Sequence, residues 1–366
     1  MCNKQINVTQ PSLPPIEDYL VLLKEIWKNK HLSNEGKFHQ ELEISLAKYL
    51  CVEYISLVSN GTLALMIALK ALNLKGEVIT TPYSFVATAN ALGWVDISPV
   101  FVDVEPIYGN LDPEKIEAAI TSKTTAILPV HVYGNPCNHK KIKFIADKYN
   151  LKLIYDAAHA FGVEENNKSI LNYGDLSILS FHATKVFNTV EGGAIISHSV
   201  EMKEKIDRLK NFGFVDELNI ALIGINAKMN ELQAAFGLLQ LRDLKKQIND
   251  RRKVAELYSK HLENISGIRV IQNNHVKHNY SYFPIVVDHQ QFGMCRDDLH
   301  EKLKKNGIFS RKYFYPLITD FNPYKNNKIE FFENASVIAD SVICLPIYSE
   351  LKTEDVIRII NLIVEK

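Results

Sequence analysis

Between Tyr54 and His198 short apolar runs alternate with stretches of helical spacing, and this alternation constrains the fold more than any other feature of the chain. The runs are Tyr54–Ser59, Glu77–Thr81, Pro99–Val104, Thr125–His131, Leu151–Asp156, Ser177–Phe181 and Ala194–His198. They are rich in Val, Ile, Leu and Tyr, and several lack the in–out alternation of a half-exposed strand. Such strands belong in a sheet covered on both faces. Between them, Thr62–Leu74 and Pro113–Ile120 have helical spacing. Strand–helix alternation predicts an α/β fold with a mostly parallel, doubly wound sheet. A long helical stretch follows over Met229–Leu262, with Leu232, Ala235, Phe236 and Leu239 at helical spacing. Its charged part, Gln240–Lys253, is expected to run between domains. Beyond it the pattern changes: Tyr280–Val287 and Val342–Ile347 read as strands, and Cys295–Lys305 and Thr353–Val364 as helices. The 366 residues accommodate two domains. The division expected is an N-terminal arm with a large α/β domain over 1–245, and a smaller α+β domain over 246–366.

Charge and cysteine usage narrow the function. Lys plus Arg and Asp plus Glu are both 42, so the chain lacks the basic excess that gives nucleic-acid binders their affinity. Cys2, Cys51, Cys137, Cys295 and Cys344 are scattered without a CxxC pair, which suggests reduced thiols, no metal site and no disulfide framework. The opening MCNKQINVTQPSLPP has no apolar signal core, and the most apolar run, Leu63–Leu72, is too short for a membrane span. A cytoplasmic protein without membrane or nucleic-acid partners is expected.

Three motifs fall in order at predicted strand ends. In Ser59-Asn60-Gly61-Thr62, Gly61 permits close backbone approach, Thr62 offers a cap and a hydroxyl, and the helix N-terminus that follows favours a phosphate. In Tyr155-Asp156-Ala157-Ala158-His159, Asp156 ends an apolar strand, where open α/β sheets bind ligands. A carboxylate there suits a protonated pyridine nitrogen. In His182-Ala183-Thr184-Lys185, the lysine lies between two buried strands, with Glu191-Gly192-Gly193 ahead of the second. Desolvation makes such an amine a usable nucleophile and base. The glycine pair is expected to let backbone pass close to a flat ring. Taken singly, each motif has an ordinary explanation: a capped helix, a capping aspartate, a loop lysine. Together they supply a phosphate cradle, a pyridine partner and an amine, which is what pyridoxal phosphate (PLP) asks of a protein.

With these motifs in place, the stretches SNGTLAL, TTPYSFVATANA, PVFVDVEP, LPVHVYGNP, YDAAHAFG, GDLSILSFHATKVFNTVEGGA and MNELQAAFGLLQL resemble the DegT-type nucleotide-sugar aminotransferases, PLP enzymes of fold type I, over nearly the whole chain. The resemblance implies that Lys185 holds the cofactor and moves protons, and that Asp156 faces its ring nitrogen. It also implies that His159 donates to the phenolate oxygen, that Phe85 stacks on the ring, and that Gly61, Thr62 and Ser180 hold the phosphate. Asn230 matches a residue that reaches the neighbouring subunit's cofactor, so a homodimer with shared sites is implied. His182, three residues before the lysine, resembles the members that aminate C4 of a 4-keto-6-deoxy sugar. The alternative for His182 is a packed core histidine.

Two regions depart from the family pattern. Gly224-Ile225-Asn226-Ala227-Lys228 stands where a Tyr-Arg pair is usual, and the loop after Phe212 is short. The segments VTQPSLPP, FHATKVFNT and KNFGF are similar to the subgroup that forms dTDP-4-amino-4,6-dideoxyglucose for surface polysaccharides such as O-antigen. The implied reaction takes an amino group from L-glutamate, stores it as pyridoxamine phosphate, and passes it to dTDP-4-keto-6-deoxy-D-glucose. Arg311, Tyr313 and Tyr315, with Lys312, are the candidates for the nucleotide sugar, since a guanidinium suits phosphate. The alternatives are amination at C3, a UDP- or GDP-linked sugar, and a PLP-binding sensor without turnover. A plain dinucleotide binder lacks its G-x-G-x-x-G after the first strand.

Overall fold

A computed structural model describes residues 5–33, 35–325 and 331–365, so Cys2 lies outside the described residues. All seven apolar runs form strands of one sheet: β1 (Tyr54–Val58), β2 (Glu77–Thr80), β3 (Ser98–Phe101), β4 (Thr124–Ile127), β5 (Lys152–Asp156), β6 (Leu176–Ser180) and β7 (Gly193–Ser197). Their order is β1-β7-β6-β5-β4-β2-β3. Every pair from β3 to β6 is parallel, and only β7 runs against both of its neighbours. β4 ends earlier than the apolar run because Pro129 cannot donate to a ladder.

Both faces of the sheet are covered, which explains the missing alternation in sequence. Leu57, Leu179 and Ile196 face one core, shared with helices α1 (Ile16–Asn29) and α2 (Lys37–Leu50). Their neighbours Val58, Ile178 and Ile195 face another, shared with α3 (Gly61–Ala71) and α4 (Ala87–Trp94). Successive residues of each strand therefore both find apolar partners.

The helix Glu231–Leu262 runs unbroken for 32 residues. Ala234, Ala235 and Leu244 near its start pack into the large-domain core. Val254, Tyr258 and Leu262 near its end pack against a small antiparallel sheet of Ile268–Val270, Phe283–Val287 and Val342–Leu345. The expected boundary at 245/246 falls inside one rod, whose charged middle lies between the two packed ends. The N-terminal arm was expected to go with the large domain. Ile6 instead is fully buried in the small-domain core, where its N–H donates to Gly307 O at 2.9 Å and its carbonyl accepts from Phe309 N–H at 2.8 Å. Among the described residues no helix is long and apolar enough to cross a membrane.

Asp103, just past β3, ties the two domains together. Its carboxylate accepts from the N–H groups of Val104 (2.8 Å), Ala335 (2.9 Å) and Asn334 (3.2 Å), the last two opening the small-domain helix Glu333–Ser341. Lys115 Nζ stands 2.7 Å away. Burial opposes its ionisation, but Lys115 and the three N–H groups outweigh burial and hold the pKa below the usual carboxylate value. Asp103→Ala is expected to cost about 2–3 kcal/mol at neutral pH, read from the urea midpoint. A depressed folded pKa adds stability above the unfolded value of about 4 and loses it as pH falls through the folded value. The gap between wild type and variant should therefore narrow below about pH 4.

Candidate active site

A cavity of about 770 Å³ opens at the C-terminal ends of the parallel strands, where α/β sheets of this kind take ligands. Gly61, Thr62, Phe85, Asp156, His159, Ser180, His182, Lys185, Arg311 and Tyr313 all border it. The three sequence motifs thus meet in one place.

One end of the cavity is the start of α3. The cap is Asn60, not Thr62: its Oδ1 accepts from Leu63 N–H at 2.9 Å from an extended backbone. Thr62 is left to offer its hydroxyl to the cavity. Gly61 lies so close to β6 that a Cβ there would stand 2.9 Å from Ser180 Cβ. The helix N-terminus and the Ser180 hydroxyl therefore share a cradle suited to a phosphate. The glycine pair behind Lys185 serves otherwise than expected. A Cβ on Gly193 would stand 2.8 Å from the Asn60 carbonyl, and one on Gly192 would stand 2.1 Å from Thr189 Oγ1. Both permit close chain packing behind the cradle, and neither borders the cavity.

The other end is set by Asp156 at the tip of β5. Its Oδ2 accepts from Thr88 Oγ1 at 2.8 Å and its Oδ1 from Ala158 N–H at 3.1 Å. Burial raises its pKa, against the pull of Thr88, Ala158 and Lys185. A cationic ring nitrogen opposite would restore the carboxylate form. Lys185 is half-buried as a residue, but its amine is enclosed, and desolvation brings its pKa down to about 8 despite Asp156 and Tyr313. Its Nζ donates to Tyr282 Oη at 3.3 Å.

His159 is buried and held well below its usual pKa by that burial, so it is neutral. Its Nδ1 accepts from Tyr133 N–H at 3.3 Å, which assigns the proton to Nε2 as a donor. Its ring stacks on Phe314, with centroids 5.6 Å apart. Phe85 borders the cavity and is largely exposed. His182 is no packed core histidine: its side chain is 47% exposed at the rim, with Nδ1 2.8 Å from Thr184 Oγ1 and Nε2 3.6 Å from Glu191 Oε1.

Two expected residues do not reach the cavity. Tyr315 is 45% exposed, with its ring 4.7 Å from the Arg296 guanidinium, and its neighbour Lys312 pairs with Asp297 at 2.6 Å. Asn230 caps the long helix, accepting from Gln233 N–H at 2.9 Å, away from this chain's own cavity. Sequence reading missed Thr88 and Tyr282. Thr88 sits inside the TANA stretch, where only its position one turn after Ser84 hints at a role; the two hydroxyls are 3.0 Å apart. Tyr282 comes from the other domain, and no local signal marks it.

The cavity has an anion cradle, a buried carboxylate across from it, an enclosed amine between them and a neutral donor alongside. These residues fit a flat pyridine ring bearing a phosphate. Comparison with known proteins agrees. The model of the DegT/DnrJ/EryC1/StrS aminotransferase family matches residues 16–364. The chain is 54% identical over 364 residues, 99% of each chain, to the dTDP-4-amino-4,6-dideoxy-D-glucose transaminase of Shigella dysenteriae. The crystal structure of DesI with its TDP-sugar product superposes with a TM-score of 0.94 at 32% identity, covering 98% of this chain and 92% of DesI. NtdA of Bacillus subtilis, solved with bound cofactor PMP, superposes at 0.87 and 30% identity, covering 95% of this chain and 81% of NtdA. With Lys185, Asp156 and His159 on one cavity and this likeness along the whole chain, the protein belongs to the DegT/DnrJ/EryC1/StrS aminotransferase family.

Proposed function

We propose that the chain moves an amino group from L-glutamate to C4 of dTDP-4-keto-6-deoxy-D-glucose, giving dTDP-4-amino-4,6-dideoxy-D-glucose. Its aminotransferase class and PLP dependence follow from the family. The observation that carries the reading is the convergence of Lys185, Asp156 and His159 on a cavity that ends at a helix N-terminus. The relative from Shigella dysenteriae, named for that product, supports the substrate, as does a histidine at position 182.

Bound PLP supplies the electron sink that makes a carbon–hydrogen bond beside nitrogen acidic enough to break. The chain's residues do the rest. The Gly61–Thr62 helix end and Ser180 anchor the phosphate and so set the ring's position. Asp156, held by Thr88 and Ala158 N–H, keeps a positive charge on the ring nitrogen. His159 donates from Nε2 to a ring oxygen without bringing a charge of its own. Lys185 is placed to take a proton from the donor carbon on one side of the amino nitrogen and to deliver it to the carbon on the other side. Near neutral pH a useful share of it is unprotonated, as a base must be. Arg311 and Tyr313, on the small-domain side of the cavity, provide a cation and a hydroxyl for the diphosphate or the donor's carboxylate.

A homodimer completes the proposal. Leu218 and Ile223 are 93% and 98% exposed, in the segment leading to Asn230, and Val215 and Ile220 beside them are exposed too. Apolar surface of this kind marks an interface. A second copy there would give Asn230, idle at its own cavity, another to reach.

The test offers the PLP-loaded protein L-glutamate with 4-keto and 3-keto dTDP sugars and their UDP and GDP counterparts. Expected are 2-oxoglutarate and an amine at C4, seen by mass spectrometry and NMR, with the dTDP 4-keto sugar preferred. Amination at C3, or preference for another nucleotide, refutes the substrate. PLP bound but unresponsive to any amino donor gives the sensor reading instead.

A further inference from the structure

Lys185 has a partner that no part of the large domain supplies. Tyr282 is contributed by the small domain, one residue before the strand Phe283–Val287. Its hydroxyl lies 3.3 Å from Lys185 Nζ, and its ring packs edge-on to His159, with centroids 4.9 Å apart. The placement is built rather than incidental. Asn279 Nδ2, fully buried, donates to the carbonyls of His159 (2.8 Å) and Phe161 (3.0 Å), and Ser281 Oγ donates to His159 O at 3.3 Å. Gly134 leaves room for this latch, since a Cβ there would stand 3.0 Å from His159 O and 3.2 Å from Asn279 Oδ1. The residues just before Tyr282 are thus fastened to the loop that carries His159.

Resting on the aminotransferase reading, we propose that Tyr282 is a catalytic residue: its hydroxyl holds the freed Lys185 amine in line for proton transfer in both protonation states. A phenol can do this where a carboxylate cannot. It donates O–H to the neutral amine and accepts N–H from the ammonium, so the same contact survives the transfer and the phenol keeps its own proton throughout. Being neutral, it steadies the lysine without the large rise in basicity that an adjacent anion brings. Burial keeps it neutral by raising its pKa. The groups facing the amine are Asp156, His159 and Tyr313, and those facing the phenol include Arg251, Arg311 and Cys344.

The experiment first reads the PLP-free protein. Pulse acetylation with acetic anhydride across pH 6–10 (roughly the span around a lysine pKa), followed by mass spectrometry of the Lys185 peptide, gives that residue's titration in wild type, Tyr282→Phe and Tyr282→His. Loss of a hydrogen bond that is stronger to the charged form should lower the Lys185 pKa by about one unit in Tyr282→Phe, with partial recovery in Tyr282→His. In the loaded enzyme, Tyr282→Phe should cut kcat by roughly tenfold, leave KM for glutamate within about twofold, and enlarge the isotope effect with 2-deuteroglutamate. An unchanged titration, or a fall in kcat with no change in the isotope effect, overturns the proposal. The titration requires no turnover. A protein that transaminates nothing therefore removes the proposed function and leaves the Tyr282–Lys185 contact to be judged by the titration alone.

Discussion

Lys185→Ala is expected to reduce transamination by at least about 10⁴-fold while the protein stays folded. The side chain is enclosed beside Asp156 and Tyr282, with its amine pKa brought down to about 8 by burial, and it packs in none of the apolar cores. Its removal therefore costs chemistry more than stability. No other described side chain bordering the cavity combines an amine with that position: Arg311 carries a guanidine group, and His159 is a buried neutral donor. The measurement is 2-oxoglutarate release from L-glutamate and a ketosugar, with circular dichroism to verify the fold. Residual activity above about 1% of wild type would remove Lys185 from the proton-transfer role.

The second large effect belongs to Asp156. Asp156→Asn keeps the shape and the bond from Thr88 but removes the charge that holds a proton on the ring nitrogen. Loss of a preorganised charge of this kind costs about 10²–10³-fold in kcat. The phosphate cradle at the other end of the cavity is untouched, so PLP should still bind. Asp156→Ala should cost more, since it also leaves the Ala158 N–H without its acceptor and the Thr88 hydroxyl with Ser84 alone. Thr88→Val separates the two contributions: it keeps the carboxylate and takes away one of the hydrogen bonds that oppose its protonation, so its effect should be smaller than that of either aspartate variant. Single-turnover kinetics with excess glutamate ranks the three.

The sequence reveals most where one residue's chemistry is decided by its neighbours along the chain. Gly61, Asp156 and Lys185 each sit at the end of a recognisable apolar run, and the strand ends of one sheet necessarily gather on one edge. The continuous burial of β7 and the two-sided packing of Ile178 and Leu179 were likewise visible as missing alternation. What escaped depends on contacts across long separations. Tyr282 meets Lys185 across 97 positions, and the latch through Asn279 ties its segment to the loop that carries His159. Tyr315 looked equivalent to Tyr313 in SRKYFYP, yet Arg296 draws its ring out of the cavity. Ile6 is one of a few apolar residues in a polar arm, with Val8 and Leu13, and nothing local says which core it fills.

The burial of Ile6 reorders the chain. Ile6 and Ile363 share the small-domain core, so the large domain is in effect an insertion spliced into the small one. A ribosome delivers the first residues of that core hundreds of positions before the last. The large domain, whose sheet is finished by Ser197, can collapse on the emerging chain, while the small core must wait for Thr353–Val364. Tyr282, the latch and Arg311 all belong to that late half. The cavity therefore acquires its lysine early and its Tyr282 and Arg311 walls only later, and until they arrive the amine lacks part of the burial that brings its pKa down.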